Sequence, residues 1–194
     1  MKNISQIFEN AFLRSINTKK DCLKIGFDEL EKMGIIISES IKEGGKLFLC
    51  GNGGSAADAQ HLAAELLVRL KPDFDRSPLP AISLALDTST ITACANDYSF
   101  NDLFSRNLLA LARPNDCLLA ISTSGNSKNI ISVLEMAKRL NVSAFSFLGG
   151  NGGEAKQLSE ISFIVPSNNT ASIQETHIVA GHALMEYIEI FSLK

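Results

Sequence analysis

No run of basic residues longer than two occurs in the chain, and 18 Lys and Arg stand against 21 Asp and Glu for a formal charge of −3. That removes polyanions as expected partners, because affinity for nucleic acid is built from clustered cations that displace counterions. The four cysteines, Cys22, Cys50, Cys94 and Cys117, form no C-x-x-C pair. They therefore offer no thiolate metal cluster, and a chain of 194 residues can bury a core without disulfide staples. They read as reduced core thiols of a cytosolic protein. No stretch reaches the roughly eighteen apolar residues that a membrane-spanning helix needs, and the opening Met1-Lys2-Asn3-Ile4-Ser5-Gln6 has polar residues where a secretory leader has an apolar core. Internal repeats and low-complexity segments are also missing. The expectation is one soluble, cytoplasmic domain over residues 1–194, with neither nucleic acid nor membrane as partner.

Nucleotide loops are absent too. Nothing reads G-x-x-x-x-G-K-[ST], and Gly51-Asn52-Gly53 lacks the third glycine of a dinucleotide fingerprint. What the chain does have is two short Gly/Ser loops, each after an apolar run and before a helical pattern. The first is Gly51-Asn52-Gly53-Gly54-Ser55, the second Ser122-Thr123-Ser124-Gly125-Asn126-Ser127. A strand that stops at glycine and restarts as a helix presents unpaired N–H groups and the positive end of the helix dipole, which suit a phosphate. The second loop adds the hydroxyls of Ser122, Thr123, Ser124 and Ser127 and no cation, a neutral cradle for a phosphate monoester. The plainer alternative is a pair of ordinary turns at strand ends.

Residues 4–43 carry apolar positions at helical spacing without proline, which predicts two helices, the second weakened by Gly26 and Gly34 and stopped by Gly44-Gly45. From residue 46 the pattern alternates. Strands are predicted at 46–50, 81–85, 118–121, 144–148 and 161–165, and helices at 55–70, 88–95, 101–112, 127–140 and 172–191. This is the pattern of an α/β fold with a doubly wound parallel sheet of about five strands, an N-terminal helical pair and a long C-terminal helix. Ligands in such sheets lie beyond the carboxyl ends of the strands, where both loops fall. Pro72, Pro78 and Pro80 bound a polar loop, and the glycine-rich turn at 149–153 reads as structural.

The helix after the first loop carries His61 and Glu65, an i,i+4 pair on one face. They can be two metal ligands, a proton-sharing pair, or two residues of a solvated face. On the last helix Gln174 and His182 are eight apart, about 80° in rotation, so they share a side two turns apart, with His177 between them. His182 also pairs by spacing with Glu186, so spacing alone does not choose among these groups. A hydrogen-bonded histidine at a subunit interface is the competing reading on so apolar a helix. Asn96-Asp97 falls near the expected ligand edge, as sugar contacts or as cap and turn residues.

Taken together, the segment from Gly51-Asn52-Gly53-Gly54-Ser55 through Asp58, His61 and Glu65, the pair Asn96-Asp97, the 122–127 loop and Ile173-Gln174-Glu175-x-His177 resemble the sugar isomerase (SIS) domain family, and within it the phosphoheptose isomerases, nearly end to end. The resemblance implies an aldose–ketose isomerase interconverting sedoheptulose 7-phosphate and D-glycero-D-manno-heptose 7-phosphate, the first step toward activated heptose for surface glycans. It implies one zinc ion per subunit, held by His61, Glu65, Gln174 and His182. Substrate contacts carry over to Asn52, Gly53, Gly54, Ser55, Glu65, Asn96, Asp97, Ser122, Thr123, Ser124, Ser127 and Gln174. A homotetramer is implied, with active sites at subunit interfaces and the N-terminal helices (1–44) used in packing.

Moving a carbonyl from C2 to C1 means removing a proton beside the carbonyl, returning it to the neighbouring carbon and shifting a proton between oxygens, through a cis-enediol. In this frame Glu65 is the base at carbon and His182 the acid/base at oxygen, with a divalent ion stabilising oxyanion charge. A carboxylate bound to a cation is a poorer base, so Glu65 is expected to change its coordination when substrate binds. One departure stands out: Ser172 precedes Ile173-Gln174 where many relatives carry arginine, leaving Arg69 and Arg106 as candidates for the missing charge. The non-enzyme alternative is the DnaA initiator-associating SIS proteins, which lack the carboxylate and histidine matching Glu65 and His182.

Overall fold

A computed structural model describes residues 4–85 and 87–193; the opening Met1–Asn3 tract lies outside them. Two helices come first, α1 (Ser5–Ile25) and α2 (Asp28–Lys42). An alternating series follows: β1 (Leu47–Gly51), α3 (Gly54–Leu67), β2 (Ala81–Ser83), α4 (Thr88–Asp97), a 3-10 turn (Phe100–Asp102), α5 (Leu103–Leu111), β3 (Cys117–Ser122), α6 (Lys128–Leu140), β4 (Ser143–Gly149), α7 (Ala155–Leu158), β5 (Ile161–Val165) and α8 (Thr170–Ser192). The five strands form one parallel sheet in the order β2-β1-β3-β4-β5. β1 leads outward to β2 on one side and β3 leads outward to β4 and β5 on the other. The winding therefore reverses between β1 and β3.

Period-two alternation sorts the strand side chains between two buried layers, as a parallel sheet covered on both faces requires. Leu47 and Leu49 of β1, Leu119 and Ile121 of β3 and Phe145 and Phe147 of β4 pack with α2, α3 and α8. The intervening Phe48, Cys50, Leu118, Ala120 and Leu148 pack with α5, α6 and α7. Among the described residues no helix is long and apolar enough to cross a membrane.

Several boundaries differ from the sequence expectation. Gly26 ends α1, donating its N–H to Cys22 O, and Gly34 sits mid-helix in α2, where a Cβ would meet the Tyr187 ring at 2.5 Å; it serves the packing of α2 on α8. α3 stops at Leu67 and α4 runs on to Asp97, so Asn96 and Asp97 belong to a helix end and not to the turn after it. α8 starts two residues early at Thr170, because Asn169 caps it by accepting from Ser172 N at 3.0 Å. The four-residue α7, inside the glycine-rich connection, has too little sequence to show periodicity.

Helix α1 is bound to the rest by one edge only. Among its described side chains just Thr18 and Cys22 are buried, while Phe8 and Phe12 are 69% and 72% exposed. Helix α8 is anchored to the sheet by His177, which is 0% exposed and whose Nε2 lies 3.0 Å from Leu148 O at the end of β4. A carbonyl only accepts, so Nε2 carries the proton and the lone pair falls on Nδ1, which has no partner among the described residues. Burial pushes the imidazole pKa down to about 4 from its ordinary 6.5.

Between pH 6.5 and 4 the unfolded chain takes up a proton at this position and the folded chain does not. Stability is therefore lost as pH falls through that window, by about 3 kcal/mol from this group. His177→Gln keeps a donor toward Leu148 O and removes the titration. Urea denaturation at pH 6.5 and at pH 4 checks this: the variant should lose less stability between the two than the parent, and equal losses would contradict it.

Candidate active site

The carboxyl ends of β1 and β3, the two strands flanking the reversal, carry the 51–55 and 122–127 loops side by side. A reciprocal amide pair ties them: Asn52 Nδ2 donates to Asn129 Oδ1 and Asn129 Nδ2 to Asn52 Oδ1, each at 2.8 Å. Asn129 lies on α6 and is 2% exposed. It is a site-building residue that sequence reading missed, since an asparagine in a helical pattern gives no signal by itself. The pairing occupies much of the hydrogen-bonding capacity of Asn52 in the free protein.

Gly53 holds φ 55° and ψ −120°, which favours glycine, and swings the chain into α3. The N–H groups of Gly53 and Gly54 have no acceptor among the described residues, because the first bonds of the turn are those of Ser55, Ala56 and Ala57. In the second loop Ser122 Oγ accepts from Gly125 N (3.1 Å) and Ser124 Oγ from Asn126 N (3.2 Å), turning the hydroxyl run into a compact bend. The hydroxyls of Thr123 and Ser127 carry no hydrogen bond among the described residues, and Ser127 is the N-cap residue of α6. The glycine-rich connection braces this bend from below, with Ala155 N donating to Gly125 O (2.9 Å) and Glu154 N to Asn126 Oδ1 (3.1 Å).

Helices α3 and α8 leave this edge together and run in the same direction. Gly54 on α3 meets Gln174 on α8, where an added Cβ would lie 2.1 Å from Gln174 Nε2, and two turns on Gly181 meets Leu62, where a Cβ would lie 2.6 Å from Leu62 Cδ1. With no side chain at these two positions the helices approach closely enough for His61 and His182 to touch. Their Nε2 atoms are 2.8 Å apart, with the rings edge to face, and Glu65 Oε1 lies 3.3 Å from His61 Nε2. Two N–H groups cannot both point into a 2.8 Å gap, so in this contact one imidazole donates to the bare nitrogen of the other.

His61, Glu65 and His182 thus form one group whose donor atoms lie within 4.8 Å of one another. Two imidazole nitrogens and a carboxylate are a donor set that zinc takes in catalytic sites, where a fourth position stays open. The residues fit such an ion. Gln174 stands eight residues before His182, roughly 12 Å along the α8 axis at 1.5 Å per residue, and its amide lies against the first turn of α3 at Gly54. Asp58, one turn before His61, is 8% exposed, and its Oδ2 has no hydrogen-bond partner among the described residues. Burial pushes its carboxyl above the ordinary carboxylate range, and His61 and His182 pull it part of the way back.

Other candidates make no hydrogen bond or ion pair to this group among the described residues. Asn96 and Asp97 are exposed at the end of α4, bonded to each other at 2.7 Å and to nothing in the cluster. Arg106 stacks its guanidinium 3.7 Å from the Tyr98 ring centre, and Arg69 is exposed just past α3 without an ion pair among the described residues. Glu186 is engaged by Lys71 rather than by His182.

A parallel sheet with a phosphate-ready edge and an acid–base group beside it defines a sugar-phosphate-handling α/β domain, and comparison bears this out. A sequence model of the SIS domain matches residues 11–149, and the chain belongs to that family. It groups there with the phosphoheptose isomerases. The enzyme of that name from Aquifex aeolicus is 48% identical over 181 residues, covering 93% of this chain and 94% of that one. The Chlorobaculum parvum enzyme is 44% identical over 178 residues, covering 91% and 85%. The solved phosphoheptose isomerase of Neisseria gonorrhoeae superposes with a TM-score of 0.91 at 35% identity, covering 97% of this chain and all of that one.

The helix approach at Gly181 gives a direct test. Gly181→Val drives a branched side chain into the fully buried Leu62 and forces α8 away from α3. The variant should bind Zn2+ at least about tenfold more weakly than the parent by calorimetric titration, as losses in the support of metal ligands do. Unchanged affinity in a folded variant would mean that the approach does not set the His61–His182 distance.

Proposed function

We propose that the protein is a sugar-phosphate isomerase converting sedoheptulose 7-phosphate to D-glycero-D-manno-heptose 7-phosphate through a cis-enediol, the first step of activated heptose biosynthesis. The observation that carries the reading is the meeting of His61, Glu65 and His182 beside a hydroxyl-lined strand edge, in a chain 44–48% identical to named phosphoheptose isomerases. The phosphate is assigned to Ser122, Thr123, Ser124 and Ser127, with the open amides of Gly53 and Gly54 and the Ser55 hydroxyl toward the sugar. Asn52, Asn96, Asp97 and Gln174 are assigned to sugar hydroxyls.

The chemistry follows from the groups present. Glu65 takes the proton from the carbon beside the C2 carbonyl and returns it to C2, and His182 moves the proton between the O1 and O2 positions. Each proton removed is returned, so the reaction is an isomerisation with no net redox change. His61, Glu65 and His182 would hold a zinc ion, with Gln174 as the family-implied fourth donor. When bound, the ion supplies Lewis-acid stabilisation of negative charge on the substrate oxygens.

The reading also takes the chain as one SIS domain that assembles as a homotetramer, with sites at subunit interfaces. The unburied apolar side chains of α1, and the cleft of about 540 Å³ that Leu23, Phe27, Leu30, Val179 and Leu184 help to line between α1, α2 and α8, support self-association. A cytoplasmic location is assigned on the strength of four free, buried cysteines. The binding-platform alternative has no use for a positioned base and acid, and Glu65 and His182 are both present.

Glu65→Gln should lower kcat by about 100-fold or more while sugar-phosphate binding persists, since it removes the base and keeps the shape; robust isomerisation by this variant, followed by NMR, would take Glu65 out of that role. Stripping the ion with a chelator should abolish turnover and Zn2+ should restore it. Ser124→Ala with Ser127→Ala should raise KM roughly tenfold with kcat little changed, because these contacts bind ground state and transition state alike. A fall in kcat alone would contradict the phosphate assignment.

A further inference from the structure

The return loop after α3 sends one side chain back into the protein. Arg76 and Glu189 of α8 are each only 2% exposed at the side chain, and Arg76 Nε donates to Glu189 Oε2 at 2.7 Å. Three further guanidinium donors go to backbone: Nη2 to Glu65 O (2.8 Å), Nη1 to Leu66 O (2.8 Å) and Ser77 O (3.1 Å). Helix α3 has no basic residue in its last turn and ends at Val68 without a glycine cap, so these carbonyls would otherwise lack a cation or cap at the negative end of the helix dipole. Leu79 N, also from the return loop, shares Leu66 O at 3.0 Å.

The placement is specific. Glu65, whose backbone carbonyl Arg76 holds, is the residue whose carboxylate stands in the cluster with His61 and His182. Glu189 lies seven residues after His182, two turns along α8 and within about 20° of the same face. The guanidinium fork therefore spans α3 and α8 just beyond the point where their functional side chains meet. The neighbouring Lys71–Glu186 pair joins the same segments but is exposed at 46% and 45%, where solvent screens it. A buried ion pair is a poor source of stability compared with apolar packing of equal volume, but a rigid fork with fixed donors sets geometry well.

We infer that Arg76 and Glu189 are positioning residues of the isomerase site, fixing the last turn of α3 against α8 so that the Glu65 carboxylate is held at the His61–His182 pair. The inference rests on the isomerase reading above. Its test uses the full-length Zn2+-loaded protein with Arg76→Lys and with the double substitution Arg76→Met/Glu189→Leu, which replaces the buried pair by apolar groups. Both variants should show kcat reduced at least about tenfold, KM for sedoheptulose 7-phosphate within about twofold of the parent, and Zn2+ affinity of the stripped protein weakened about tenfold, at a temperature where circular dichroism shows them folded. A folded double variant with parental kcat and Zn2+ affinity would overturn the inference and leave the pair a structural one. Should the double variant not fold, Arg76→Lys decides, because its ammonium still faces Glu189 but cannot span both carbonyls. Failure of the parent itself to isomerise the sugar phosphate would count against the isomerase reading, while the Zn2+ titrations would still report on the brace.

Discussion

The close, same-direction packing of α3 on α8 is the contact on which the site depends. His61 and Glu65 come from one helix and His182 from the other, separated by more than a hundred residues of chain, and they meet only because nothing larger than hydrogen stands at Gly54 and Gly181. The apolar layer beneath, with Leu62, Leu66, Leu184 and Ile188 fully or nearly buried, supplies the cohesion. Small residues at the crossing convert that cohesion into a short interhelical distance, and the Arg76–Glu189 pair closes the far end. A chemically useful geometry is thus set by packing, with the polar groups placed on top of it.

The sheet contributes the other half. Because the winding reverses between β1 and β3, their loops open next to each other at one edge, and the Asn52–Asn129 pair locks them in register. Amides at Gly53 and Gly54 and hydroxyls at Thr123 and Ser127 that have no partner among the described residues suit an anion without a fixed cation. Neutral donors hold a phosphate through direction more than through charge, which suits a substrate that must be released as readily as it is bound. The acid–base group then lies along the same helix that begins at this edge. On the proposed reading, a sugar phosphate anchored at one end presents the other end to it.

Much of this was legible in the residues. Strand positions came from short apolar runs bounded by glycine and proline, and the parallel sense of the sheet from the helical segments between them. His61 and Glu65 share a face by spacing alone, and the family resemblance joined His182 to them. Other features carried no local signal. Asn129 and Arg76 act through partners 77 and 113 residues away, a relation that periodicity cannot express. Gly34 reads as a helix weakener by propensity, yet tertiary packing uses it, as it uses Gly181. Asp58 enters the sequence reading only as part of the family segment, and burial reveals a carboxyl whose Oδ2 has no partner among the described residues.

On the proposed reading, phosphate loop and acid–base group address opposite ends of one substrate. A crystal structure of the Glu65→Gln protein with sedoheptulose 7-phosphate tests it most directly. The phosphate should lie among the 122–127 hydroxyls, and C1 and C2 within about 3–3.5 Å of the residue 65 amide, with the adjoining oxygens in reach of His182, counting neighbouring protomers. A sugar bound with its phosphate elsewhere, or with C1 and C2 turned away from both side chains, would contradict it.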